Sequence, residues 1–415
     1  SDLFSSYISH LLLLLRFSQK VIKTLAKMEH HAQSVEDALI GGLSYKLKPG
    51  ASYVTNRRSV SYFASGGNQY SPSGVRVIKF HLTGDQWLDP STFRIRFQLN
   101  NLDYEALGTK YIKPLSWNPA VFFRRARIIA GGQVIEDIDD FNRLSLMLST
   151  VKGNEEQLMI ASEGFGSFDD RYAVAADDTR KEYRNKDFDL SGGVFQSRRV
   201  LFKPMFGLLH QDKLIPLRYC PIQVELELVN NGADAVHVGV YNDENHISNW
   251  GITDAQVKCD LLTLDNSLEN EYASHLLSGK SLPINFSTWN HTNQSTGNDK
   301  NFSASINRAL TRLKSVFITL HSVDGDWYKQ ANMFYHPSET SSSDQYEIDD
   351  EHSYWVQIGS KLIPEYPVNS LGESLSQLRK TVGHPFKMYG RWYRTTKYII
   401  GLDLEKVSDR KSTRL

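Results

Sequence analysis

Ile222-Gln223-Val224-Glu225-Leu226-Glu227-Leu228 alternates apolar and polar residues without a break. Side chains of an extended strand point to opposite faces with period two. Ile222, Val224, Leu226 and Leu228 therefore make a dry face, and Gln223, Glu225 and Glu227 a wet one. Phe93, Ile95, Phe97 and Leu99 alternate in the same way with Thr92, Arg94, Arg96 and Gln98. So do Ala255, Val257, Cys259 and Leu261 with Gln256, Lys258 and Asp260. Half-buried strands of this kind belong to antiparallel sheets stacked face to face.

Further strands are expected over 75–82, 127–135, 313–320, 354–358 and 393–404. The 127–135 stretch carries Gly131-Gly132 between Ile128-Ile129 and Val134-Ile135, the pattern of a hairpin with a Gly-Gly turn. A phosphate-cradling loop would need a following helix with Lys-Ser/Thr, or a third glycine at the proper offset; neither is there. Helices are few. Residues 138–151 put Phe141, Leu144, Met147, Leu148 and Val151 on one face. Residues 266–277 open with Asn266 and Glu269 at capping-box spacing and stop before Gly279. Residues 370–382 carry Leu371, Leu375, Leu378 and Val382. Strand and helix do not take turns, so βαβ units are not expected. Two polar tracts, 164–199 and 338–350, read as surface loops inserted between strands. The organisation expected is an N-terminal segment over 1–43, a strand-rich unit over 44–265 and a second over 266–408.

Lys+Arg and Asp+Glu both number 47, a balance that argues against a dedicated nucleic-acid binder and against an acidic disordered tail. Near-zero net charge does little to resist self-association. The two cysteines, Cys220 and Cys259, fall within alternating apolar patterns, so buried free thiols and a reducing compartment are expected. Four Asn-x-Ser/Thr sequons, at Asn285, Asn290, Asn293 and Asn301, mark either glycan acceptors or a polar surface loop.

Leu11 to Leu15 is followed, not preceded, by the basic residues Arg16, Lys20, Lys23 and Lys27, the reverse of a signal peptide, and is too short to span a membrane. Translation is expected to start at Met28. The final residues 409–415 resemble a translated sequencing adapter, so native sequence is expected to stop near Ser408.

No pattern carries catalytic, cofactor-binding or metal-binding chemistry. Cys220 and Cys259 lack companions for a zinc site, and His30-His31 reads as exposed polar residues. There is no Gly-x-Ser-x-Gly and no His-Glu-x-x-His. Glu136, Asp137, Asp139 and Asp140 could form an acid/base or metal group; at the start of an amphipathic helix they fit better as caps that complement its dipole. Arg124, Arg125 and Arg127 could meet phosphate, but with those acids close by they fit local ion pairs or a subunit contact. Trp87, Trp117, Trp250, Trp289, Trp327, Trp355 and Trp392 are scattered, as core and interface residues are. The rival is an aromatic-rich carbohydrate-binding or glycan-processing β-sandwich, which would pair carboxylates about 5–10 Å apart in a pocket.

Three strings carry a resemblance. Phe123-Arg124-Arg125-Ala126-Arg127-Ile128-Ile129-Ala130-Gly131-Gly132-Gln133-Val134-Ile135-Glu136-Asp137-Ile138-Asp139-Asp140-Phe141-Asn142-Arg143 resembles the hairpin-to-helix segment of major capsid proteins from polinton-like viruses, virophages and related double-jelly-roll DNA viruses. Leu214-Ile215-Pro216-Leu217-Arg218-Tyr219-Cys220-Pro221 running into the 222–228 strand resembles a stretch late in their first jelly roll. Gly390-Arg391-Trp392-Tyr393 with Ile400-Gly401-Leu402-Asp403-Leu404-Glu405 resembles a late segment of the second. The resemblance implies an all-β chain of two tandem jelly rolls, the second incomplete at its C-terminus. It implies a homotrimer forming pseudo-hexagonal capsomers of an icosahedral virion shell. Neighbouring capsomers, penton and minor capsid proteins would be its partners, with no cofactor, no specific nucleic-acid site and no membrane span.

Overall fold

The computed structural model describes residues 54–103, 110, 112, 114–165, 197–236, 247–296, 301–306, 310, 312–321, 334, 353–386, 388, 393 and 397–405. The expectations for 1–53, for most of 164–199, for 338–350 and for 409–415 lie outside the described residues.

From Val54 to Leu264 the chain runs through β1 (Val54–Phe63), β2 (Gln69–Tyr70), β3 (Val77–Leu82), β4 (Trp87–Asn101), β5 (Phe123–Ala130) and β6 (Gln133–Ile138). After helices α1 (Phe141–Val151) and α2 (Asn154–Glu163) come β7 (Ser197–Phe202), β8 (Ile215–Pro216), β9 (Ile222–Leu228) and β10 (Trp250–Leu264). One sheet has the order β1-β10-β4-β7, with the two-residue strands β2 and β8 attached to β10 and β4. The other has the order β3-β9-β5-β6. All these pairings are antiparallel. With β2 and β8 set aside, the remaining strands fall in the order first, eighth, third, sixth in one sheet and second, seventh, fourth, fifth in the other. That order is a jelly roll, two sheets linked as Greek keys.

The alternating residues do what their pattern requires. Phe93, Ile95, Phe97 and Leu99 on β4 and Ile222, Val224, Leu226 and Leu228 on β9 are all buried. Ile95 lies opposite Val257, and Val224 lies between Phe80 and Ile128. Phe97 of one sheet meets Phe123 of the other edge to face at 5.6 Å, and Phe202 and Phe122 at 6.2 and 6.3 Å. Phe122 in turn meets the fully buried Trp250 at 4.7 Å. Each such ring contributes about 1.5–3 kcal/mol of burial, so this cluster is where the sheets are joined. The β5–β6 hairpin is longer than the expected 127–135. It turns on Gly131 and Gly132, with φ 58° and 83°, both in the left-handed region that favours glycine.

Several expectations need correction. The helix expected from residue 138 starts at Phe141, because β6 keeps pairing through Ile138, opposite Ala126. The helix α3 (Asn266–Leu277) is capped one residue earlier than expected, by Asp265, whose carboxylate accepts the Ser267 amide at 3.1 Å. The tract 164–199 is not all surface loop: Gly164 and Phe165 are buried, and 197–199 begin β7. Cys259 is buried but Cys220 only half-buried, and neither is in a disulfide.

Beyond α3 the described strands form two pairs. β11 (Ser315–Thr319) pairs with β14 (Ile399–Asp403), shorter than the expected 393–404. β12 (Tyr354–Ile358) pairs with β13 (Lys361–Val368). Helix α4 (Leu371–Val382) starts at Ser370, whose hydroxyl accepts the Glu373 amide at 3.2 Å. Its Leu378 and Val382 are buried. Fully buried Ser374 shares hydrogen bonds with Tyr393 at 2.8 Å and Tyr398 at 3.5 Å, and accepts one from Tyr354 at 3.1 Å. That network ties α4 to β12 and to the residues leading into β14. Burial pushes all three phenols up, so they remain neutral donors.

Candidate functional site

The wet faces of the two sheets carry ladders of paired charges. On the four-stranded sheet, Lys79, Glu225, Arg127 and Asp137 stand side by side in register across β3, β9, β5 and β6. Their contacts are 3.0 Å for Lys79–Glu225, 3.7 Å for Arg127–Glu225 and 3.9 Å for Arg127–Asp137. Arg125 grips Asp137 through two hydrogen bonds of 2.8 and 2.6 Å, and Arg76 lies 3.7 Å from Glu227. Burial alone would raise the Glu225 carboxyl. Lys79, Arg127 and Gln223 outweigh it and hold it below the ordinary range. The other sheet repeats the device: Arg57 bridges Asp89 at 3.2 Å and Asp260 at 2.8 Å, and Arg96 meets Asp254 at 2.5 Å.

The acidic group singled out in the sequence is thus no cluster, and its members do not cap α1. Asp137 belongs to the strand ladder, Asp139 lies 3.8 Å from Arg124, and Asp140 lies 3.2 Å from His291. Asp140 does occupy the N-cap position, but in left-handed conformation (φ 46°) and without a side-chain cap bond. Glu136 turns inward and is 1% exposed. Its carboxylate accepts the amides of Gly207 at 2.9 Å and Leu208 at 2.7 Å, at the 3-10 turn Gly207–Leu209. Burial pushes the Glu136 carboxyl up, and hydrogen bonds from Leu208, Gly207 and Thr288 pull it part of the way back. Nothing in the sequence separates Glu136 from Asp137 except strand parity. Arg124, Arg125 and Arg127 take up the local ion-pair role expected of them.

The described tryptophans do not form a sugar platform. Trp250 is fully buried and donates to the Gly232 carbonyl at 3.1 Å. Trp87 is buried 5.0 Å from the Tyr272 ring, and Trp289 packs on Phe317 at 5.9 Å. Trp355, half exposed, sits on the β12–β13 ribbon together with exposed Ile358, Leu362 and Tyr366. Trp327 and Trp392 lie outside the described residues. The sequon asparagines 285, 290, 293 and 301 are all exposed on irregular chain, as a polar surface loop requires. Among the described residues no group of three or more His, Cys, Asp or Glu could hold a metal ion. No described helix is long and apolar enough to cross a membrane.

The fold and surface define a jelly-roll β-sandwich with ion-paired outer faces. No family model and no curated protein matches the chain. Among solved structures its neighbours are viral major capsid proteins. PBCV-1 VP54, fitted into a reconstruction of the virophage Sputnik, matches at 10% identity over 55% of this chain and 48% of that one, TM-score 0.37. The Faustovirus major capsid protein matches at 9% over 56% and 58%, TM-score 0.30. The mavirus major capsid protein matches at 10% over 55% and 52%, TM-score 0.30. The match spans about half the length of each of these chains. The fold assignment stands on strand order within the chain itself.

Proposed function

We propose that this chain is a structural major capsid protein, acting by assembly and not by catalysis. The carrying observation is the jelly roll over 54–264, with both outer faces closed by ion-pair ladders. Such a block is rigid, wet on its flat faces, and suited to contacts through its ends and connecting segments. The exposed aromatic and aliphatic side chains of the β12–β13 ribbon are of the kind that anchors interfaces. In this reading two jelly rolls, over 44–265 and 266–408, stand in tandem. Three chains make a pseudo-hexagonal capsomer of a virion shell, and neighbouring capsomers, penton and minor capsid proteins surround it. Obligate interfaces of this kind bury about 2,000 Å² or more. Light scattering on the purified protein is expected to give three times the chain mass, persisting on dilution. A monomer at micromolar concentration, with no particles by electron microscopy, would overturn the reading.

A further inference from the structure

Residues 280–291 run as a strap outside every described strand and helix. Leu282, Ile284 and Phe286 are half-buried, while Ser281, Pro283, Asn285 and Ser287 between them are exposed. Ile284, Phe286 and Trp289 pack on the main core, and Trp289 also lies against Phe317 of β11. Four further contacts fasten the strap to the 54–264 sandwich. Lys213 Nζ donates to the Pro283 carbonyl at 2.8 Å. A Cβ placed on Gly207 would stand 1.8 Å from the Ser287 carbonyl oxygen, so the strap passes where only glycine fits. The Thr288 side chain hydrogen-bonds to Glu136, which also holds the Gly207 and Leu208 amides. His291 Nδ1 lies 3.2 Å from Asp140.

We propose that this strap is a clasp coupling the β11–β14 sheet to the jelly roll, with Glu136 as a proton-sensitive catch. With the clasp open, the carboxyl is solvated and titrates near its ordinary value of 4.5; with it shut, burial pushes the carboxyl up. The shut form therefore binds the proton more tightly. The hold is greatest below the ordinary value and weakens as pH rises through the raised one. The nearby titratable groups are engaged elsewhere. Asp137 pairs with Arg125 on the opposite strand face, the His210 ring is turned to the Phe206 carbonyl at 2.7 Å, and His291 faces Asp140. None of them contributes to the Glu136 shift.

The test uses the full chain, following hydrogen exchange at the Gly207 and Leu208 amides between about pH 4 and 8, corrected for intrinsic rate, together with calorimetry. In the wild type, protection is expected to fall with rising pH and the two β regions to melt together. Glu136→Gln is expected to flatten the pH profile. Gly207→Ala is expected to speed Leu208 exchange by about tenfold or more and to split the melting transition. Trp289→Ala, which removes the strap's contact with Phe317 of β11 and leaves Gly207 and Glu136 in place, is expected to split it as well. A pH-independent wild-type profile removes the catch. A single transition in both Gly207→Ala and Trp289→Ala removes the clasp.

Discussion

Cys259 lies on the inner face of β10, 3% exposed, and burial pushes its thiol up to about 12. The thiolate is the reactive form, so at pH 8 this sulfur is both shielded and protonated. Cys220 is half-buried and less protected. Iodoacetamide at pH 8 is expected to modify Cys220 on the native protein and Cys259 only after denaturation. Peptide mass spectrometry reads the difference, and native labelling of Cys259 would contradict its placement. The cysteine was legible because it falls on the apolar side of an alternating run. Glu136 was not. Its neighbours 137, 139 and 140 are also acidic, and the apolar helical face from 138 onward made all four look like caps. What separates them is that β6 runs on through Ile138, so adjacent acids point to opposite sides.

At the level of elements, the charge ladder on the four-stranded sheet makes a pH prediction. Glu225 titrates below its ordinary value in the folded protein. Its contribution is therefore fully present above the unfolded value and lost as pH falls through the folded one. Lys79→Met is expected to cost about 0.5–1 kcal/mol at pH 7. The difference from wild type should shrink towards pH 3 in urea titrations; a gap that stays constant with pH would show that Lys79 acts by packing alone. Central strands such as β4, β9 and β10 were legible because each has one dry and one wet face. β1 was not: Val54-Thr55-Asn56-Arg57-Arg58-Ser59 is exposed throughout, since the strand sits at a sheet edge and is held by pairing with β10. β13 was missed because Pro364 and Pro367 speak against a central strand; among the described residues it pairs with β12 alone. β7 was hidden because its first residues, Ser197-Arg198-Arg199, continue a polar tract and only Val200 and Phe202 turn inward.

For the molecule as a whole, the aromatic cluster around Phe97 is the place where one substitution should reach both sheets. Phe97→Ala is expected to cost about 3–5 kcal/mol by chemical denaturation. Leu277→Ser, at a side chain 88% exposed, should change stability by less than about 0.5 kcal/mol. Comparable losses at the two positions would contradict the placement of the core. The sandwich also closes on itself across a long stretch of chain. Among the described strands β1 pairs with β10 alone, and the Thr55 hydroxyl reaches the Thr263 carbonyl 208 positions away. During synthesis at about 5–20 residues per second, β1 therefore waits on the order of tens of seconds for its partner to leave the ribosome. Through that interval β4 lacks its β10 neighbour and the apolar side of the sheet stands open. The nascent chain thus passes through a sticky, half-finished sheet, the kind of exposed edge and apolar face that a holding chaperone covers.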